Sequence, residues 1–254
     1  MNHSLRVNSV PCLKDNYAYL VSNAQGDAIV IDPGEAAPVR AALSQHQLSL
    51  KAILNTHHHY DHVGGNLELS DGSLPIYAFH SDEGRVPGLT HPLQDGEEFE
   101  VLGEAVRALH VPGHTLGALT YRFEGFAFTG DTIFCAGAGR LFEGTAEQMN
   151  RAFEQVAKTL SPDDLLYTGH EYTAANLRFA LSLWPEDEAV KKRLAQVEQE
   201  RSQGKSCASA SLAEELETNP FFRVRDADYR EQLGLGAMKP VDAFAEVRRR
   251  KDHF

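Results

Sequence analysis

At 254 residues, with 42% hydrophobic and 24% charged residues, the chain suits one large soluble globular domain, or one domain with a smaller appendage. A formal net charge of −12 sets the long-range field against polyanions, which excludes nucleic acid and anionic membrane surfaces as partners, and no apolar run approaches the ~20 residues that span a bilayer. Cys12, Cys135 and Cys207 are odd in number and in no CxxC pattern, so they read as small apolar residues and not as a disulfide framework or a thiolate metal site. The opening residues Met1 to Arg6 carry no apolar signal region, and a cytoplasmic protein is expected.

Strands are expected over residues 5–10, 16–22 and 27–32, the last ending at Asp32-Pro33-Gly34. An Ala-rich segment from Pro38 to His46 predicts a helix, and residues 50–54 predict a buried strand. That strand runs straight into Thr56-His57-His58-His59-Tyr60-Asp61-His62, and Gly64 and Gly65 precede a short helix-prone run. While the chain stays extended, alternation turns His57, His59 and Asp61 to one side, and His62 then points elsewhere. His58 and Tyr60, lying between, read as packing or outer-sphere residues. Four ligand-type side chains in seven residues, at the end of a strand, mark a metal site on an α/β scaffold.

Further strands are expected over 75–79, 98–102, 105–111, 118–123 and 126–129, the last two joined by a turn at Glu124-Gly125. Thr145 with Gln148 forms a capping box for a helix carrying Met149, Phe153, Val156 and Leu160 at helical spacing. Residues 164–167 are a final strand; beyond Glu171 the pattern holds helices over 172–183, 187–203, 211–217 and 240–250, and no strand. A boundary near residue 171 therefore separates a layered α/β domain, 1–170, from a helical one, 171–254. His114, Asp131 and His170 each follow a glycine at the end of an expected strand, where a side chain is presented at a sheet edge.

The series His57-x-His59-x-Asp61-His62, then His114, Asp131 and His170, resembles the motif set of the metallo-β-lactamase-fold hydrolases. The segments Asp131-Thr132-Ile133-Phe134, Ala136 to Arg140, Phe142 to Thr145, Gly169 to Thr173, Asn219 to Arg223 and the basic end Arg248 to Phe254 are similar to the glyoxalase II, or hydroxyacylglutathione hydrolase, family over nearly the whole chain. The resemblance implies a four-layer αββα sandwich with a smaller C-terminal α-helical domain. It implies two divalent metal ions, Zn²⁺ foremost with Fe or Mn as alternatives: His57, His59 and His114 on one, Asp61, His62 and His170 on the other, and Asp131 bridging. A metal-bridged hydroxide, oriented in part by Asp61, would attack the thioester of an S-(2-hydroxyacyl)glutathione such as S-lactoylglutathione, releasing glutathione and D-lactate. No GxSxG nucleophile elbow competes with that reading.

Arg248 and Lys251, three apart on the last helix, match a basic pair that the family uses for the carboxylates of glutathione. Arg140 and Tyr172 fall at further substrate-contacting positions, and Phe142 stands where many members carry Tyr, at the loss of one hydroxyl. The implied protein is a monomeric enzyme whose only partner is its small-molecule thioester. A mononuclear-iron persulfide dioxygenase of the same fold and a metal-binding interaction protein without turnover are the competing readings; the complete second ligand set with the helical C-terminal domain speaks against the first, and the full ligand set with its substrate clamp against the second.

Overall fold

Runs such as Ala28-Ile29-Val30-Ile31 and Tyr17 to Val21 are β-branched and aromatic, and they form strands buried along nearly their whole length. The computed structural model describes residues 5–254; the expectation of a start without an apolar signal falls largely on residues 1–4, outside the described ones. The chain divides into two units, one running to His110 and taking in Gly117–Gly130, the other made of Val111–Leu116 and Asp131–Phe254. Among the described residues no helix is long and apolar enough to cross a membrane.

The first unit holds β1 (Arg6–Cys12), β2 (Asn16–Ser22), β3 (Asp27–Ile31), α1 (Ala36–His46), β4 (Ser49–Leu54), α2 (Tyr60–Val63), α3 (Asn66–Ser70), β5 (Ile76–Phe79) and β6 (His91–Leu93). These strands form one sheet in chain order, antiparallel from β1 to β3 and parallel from β3 to β6. Four more strands, β7 (Glu98–Val101), β8 (Glu104–His110), β9 (Leu119–Phe123) and β10 (Phe126–Gly130), make an antiparallel meander. The meander lies against the first sheet, with Phe128 on Tyr19 at 5.3 Å and Phe99 stacked on Tyr77 at 4.8 Å. On the other side Val39 of α1 and Val63 of α2 pack with Leu20, Val30, Ile53 and Ile76. Helix, sheet and sheet are thus layered within this unit, as the alternation of elements requires. Tyr121 closes the interior: its hydroxyl donates to the Asn55 carbonyl at 2.9 Å, and burial raises its pKa well above the usual phenol value. The strand β6 lies in a stretch expected to be loop, because His91-Pro92-Leu93 has neither alternation nor β-branched residues.

The second unit contains β11 (Ile133–Phe134), β12 (Gly137–Ala138), α4 (Ala146–Thr159), β13 (Leu165–Thr168), α5 (Thr173–Leu183), α6 (Glu188–Ser202), β14 (Ser209–Ser211), α7 (Leu212–Thr218), α8 (Pro220–Arg223), α9 (Ala227–Gln232) and α10 (Pro240–Asp252). Both hydrogen bonds of the Thr145–Gln148 capping box are made. The stripe of α4 is buried, and Phe153 packs on Phe221, Phe222 and Phe244 from α8 and α10. The expectation of no strand after Glu171 is corrected: Ser209–Ser211 pairs antiparallel with β13. Two small serines and an alanine carry no strand signal of their own, so tertiary pairing decides there.

The hairpin β11–β12 is held from the helices. Glu215, 1% exposed, accepts the Ala136 N–H with both oxygens, at 3.1 and 2.9 Å, and also binds Arg193 at 2.6 Å. Asn219 donates to the Phe134 and Gly137 carbonyls, and Asn176 to that of Cys135. Ala136 has φ 54°, a left-handed conformation costly for a side-chain-bearing residue, and this ring of bonds supports it. The hairpin joins Asp131 to Arg140 along the chain, so its rigidity is transmitted to both.

Candidate metal centre

Strand β4 ends at Leu54 and delivers Asn55, Thr56 and His57, all buried. The chain bends at Thr56 and His57, and His59 is the N-cap of α2; Asp61 and His62 lie in that helix, so the expected alternation through Asp61 is corrected. The cause is steric. The turn of α2 lies against Asp32-Pro33-Gly34, and a Cβ at Gly34 would overlap the Asp61 carbonyl. The Gly65 N–H donates to the Pro33 carbonyl at 2.8 Å, so the chain curls where it would otherwise stay extended.

The result is a cluster of imidazoles. Nε2 of His57 lies 3.1 Å from Nδ1 of His59, and the rings of His57 and His62 are 4.2 Å apart. Nε2 of His62 lies 3.8 Å from Oδ2 of Asp61. Asp32, which the sequence reading took only for a strand end, organises them. Its carboxylate accepts from Thr56 N at 2.7 Å, Thr56 Oγ1 at 2.6 Å and His62 Nδ1 at 3.0 Å. Since the Thr56 hydroxyl gives its proton to Asp32, it accepts from Nδ1 of His57 at 3.1 Å. Both rings therefore carry their proton on Nδ1 and turn the Nε2 lone pair inward, the arrangement that outer carboxylates impose on ligating histidines. Asp32, His57 and His62 offer atoms within 4.8 Å of one another, enough to hold an ion by distance. Asp32 faces the protonated nitrogen, however, which makes it an orienting group and not a ligand.

The second unit presents its own set. Gly130, at φ 50°, ends β10 and turns the chain so that Asp131 follows in a buried position. Oδ2 of Asp131 lies 3.5 Å from Nε2 of His114 and 3.2 Å from Nε2 of His170. Nδ1 of His114 is 2.9 Å from the Arg140 carbonyl, which can only accept, so this ring also keeps its proton on Nδ1. Its Nε2 lone pair then faces a carboxylate oxygen. Two acceptors face each other only with a proton or a metal cation between them, and a carboxylate oxygen close to two imidazole nitrogens is a donor set able to take a divalent cation. The donor chemistry agrees: nitrogen and carboxylate oxygen throughout, with the three cysteines free and buried elsewhere. The residues fit divalent metal.

Around this set lie the other expected residues. Phe142 is 64% exposed, with its ring edge-on to His114 at 5.2 Å, and Tyr172 stacks on His170 at 4.8 Å. Arg140 is exposed, but Arg248 is only 4% exposed, and its Nη1 donates to the carbonyls of Ala138 at 2.7 Å and Gly139 at 3.2 Å. Lys251 is half-buried, with its ammonium 4.9 Å from the Phe179 ring and 5.0 Å from that of Phe254. Burial first, then the charges of Arg248 and Arg140, push its pKa down to about 8. Tyr60 is corrected as a packing residue, being 77% exposed, whereas His58 lies 3.4 Å from the buried Asp82 carboxylate. Asp82 and Asn16, whose amide reaches Asp61, carried no signal in the sequence, since only the fold brings them to the loop.

A family profile described as the metallo-β-lactamase superfamily matches residues 14–182, and one described as the hydroxyacylglutathione hydrolase C-terminus matches 171–254. A protein of Methylococcus capsulatus named hydroxyacylglutathione hydrolase is 44% identical, covering 98% of this chain and 99% of its own. One of Arabidopsis thaliana, named hydroxyacylglutathione hydrolase cytoplasmic, is 39% identical over 98% and 99%. Among solved structures, ETHE1 from Myxococcus xanthus superposes with a TM-score of 0.64 at 22% identity, covering 96% of this chain and 89% of its own, a likeness of fold.

Proposed function

Since the chain belongs to the hydroxyacylglutathione hydrolase family of the metallo-β-lactamase superfamily, we propose that it hydrolyses the thioester of S-(2-hydroxyacyl)glutathione to glutathione and a 2-hydroxy acid. S-lactoylglutathione, giving D-lactate, is the substrate we assign. Two divalent cations belong to the site, Zn²⁺ foremost and Fe or Mn as alternatives. His57, His59 and His114 would hold one, Asp61, His62 and His170 the other, and Asp131 would serve both. The observation that carries this reading is the single Asp131 oxygen faced by Nε2 of His114 and of His170, two histidines assigned to different ions. When bound, such a pair of cations supplies the Lewis acidity that makes water a nucleophile at neutral pH and stabilises negative charge on the carbonyl oxygen.

The chain's own residues do the rest. Asp61, beside His62, would orient the attacking water, and Asp131 would supply a carboxylate to both ions. Water oxygen bonds to the thioester carbon, the C–S bond breaks, the sulfur leaves as thiolate, and the two water protons pass to solvent. A thiol of pKa ~8.5 departs with little help from an acid. Arg140 and Lys251 would pair with the carboxylates of glutathione, and Tyr172 would contact its backbone. Arg248 adds its charge to theirs and anchors the loop that carries Arg140. Phe142 has no hydroxyl to offer.

We further assign residues 1–170 to catalysis and 171–254 to substrate binding, a division that the start of the second family profile at 171 supports. A monomer working in the cytoplasm is the setting proposed, in line with the name of the Arabidopsis relative. The test is decay of the thioester absorbance of S-lactoylglutathione on addition of metal-replete protein; an unchanged signal contradicts the assignment.

A further inference from the structure

Resting on the reading of Asp61 as a metal ligand, we propose that Asn16 is a positioning residue for the second ion, fixing the carboxylate that would bind it. Asn16 opens β2, directly across from Cys12 in the β1–β2 ladder. The hairpin turn before it is pinned: Leu13 stands at φ 51° and donates its N–H to Glu35 at 2.6 Å. Asn16 is 7% exposed, and its amide nitrogen lies 2.9 Å from Oδ2 of Asp61 and 3.2 Å from the Asp61 carbonyl. One amide thus grips both the backbone and the carboxylate of the same residue, which sets both side-chain torsions of Asp61 at once.

Asp61 needs such a grip. Its helix is only four residues long, and no side chain caps the helix at His59. The Asp61 side chain is 37% exposed, so water competes for its oxygens. With Oδ2 tied to Asn16 and 3.8 Å from Nε2 of His62, the carboxylate is kept on the side of its fellow ligand. A neutral donor suits this task better than a cation, because it orients the carboxylate without cancelling the charge that attracts a metal. His62 is oriented from Asp32, so Asp61 and His62 are anchored from two different strand ends. Loss of Asn16 should therefore loosen one ion and spare the other.

The experiment is a metal titration in chelator-buffered Zn²⁺ of the wild type, Asn16→Ala and Asn16→Asp, with thermal melting and steady-state kinetics of thioester hydrolysis alongside. The wild type should take up two ions. Asn16→Ala should keep the first at wild-type affinity and bind the second about 10- to 100-fold more weakly. Its kcat at limiting Zn²⁺ should fall in step and recover with excess Zn²⁺, at an unchanged KM. Asn16→Asp preserves size but sets an acceptor against Oδ2 of Asp61, so it should not rescue. Wild-type affinity for both ions in Asn16→Ala overturns the proposal, and so does an equal weakening of both with a fall in melting temperature. Fewer than two ions on the wild type overturns the two-ion reading itself, and the proposal with it.

Discussion

The Asp32 carboxylate lies 3.0 Å from Nδ1 of His62, the nitrogen turned away from the candidate metal site. This contact fixes which nitrogen of the ring is basic. It also ties the end of β3 to α2, with Thr56 sharing the same carboxylate. Asp32→Asn keeps the shape but turns one acceptor into a donor, leaving a donor facing either Thr56 or His62. We expect metal affinity to fall about 10- to 100-fold, with KM for the thioester unchanged. Equilibrium dialysis against Zn²⁺, followed by kinetics at saturating metal, checks this.

Arg248 is expected to affect both stability and binding. Its removal leaves the Ala138 and Gly139 carbonyls without their buried donor, at a cost of about 1–3 kcal/mol. Arg248→Ala should therefore lower the unfolding free energy by roughly that amount and raise KM more than it lowers kcat. Arg248→Lys should recover little, because an ammonium cannot reproduce the two-carbonyl fork. Denaturant unfolding and Michaelis kinetics on the two variants separate these effects.

Lys251 gives a pH signature. With a pKa lowered to about 8, it is charged below that value and neutral above it, so the proposed attraction for a glutathione carboxylate would be present at pH 7 and lost by pH 9. KM should rise about tenfold across that interval while kcat changes little, a charged hydrogen bond being worth about 1.5–3 kcal/mol. Lys251→Arg, charged throughout, should flatten the profile. A KM already flat in the wild type would remove Lys251 from the binding site.

Phe142 offers a gain of function. It is exposed, so a hydroxyl can be added without overpacking. Phe142→Tyr should lower KM by about 2- to 10-fold, the worth of one net hydrogen bond of ~0.5–1.5 kcal/mol, and leave kcat alone. Steady-state kinetics with S-lactoylglutathione measures it.

Much of this was legible in the sequence because the signals were local. The β-rich runs, the capping box at Thr145 and the crowding of donors from His57 to His62 each declare themselves within a few residues. The glycine before Asp131 did likewise. What stayed hidden depends on chain segments far apart in sequence. Asp32 looks like an ordinary strand end until Thr56 and His62 are brought to it. Asn16 gives no hint of Asp61, and Glu215 none of Ala136. Ser209–Ser211 becomes a strand only because β13 lies beside it. The basic tail was legible as charge, but not as a buried Arg248 serving loop carbonyls beside a half-buried Lys251.

The most direct test of the central claim combines metal analysis with turnover of S-lactoylglutathione on the same sample. Two divalent ions per chain, and thioester decay that is abolished by chelation and restored by Zn²⁺, is the result expected. Metal-replete protein that leaves the thioester untouched, while oxidising glutathione persulfide, would contradict it.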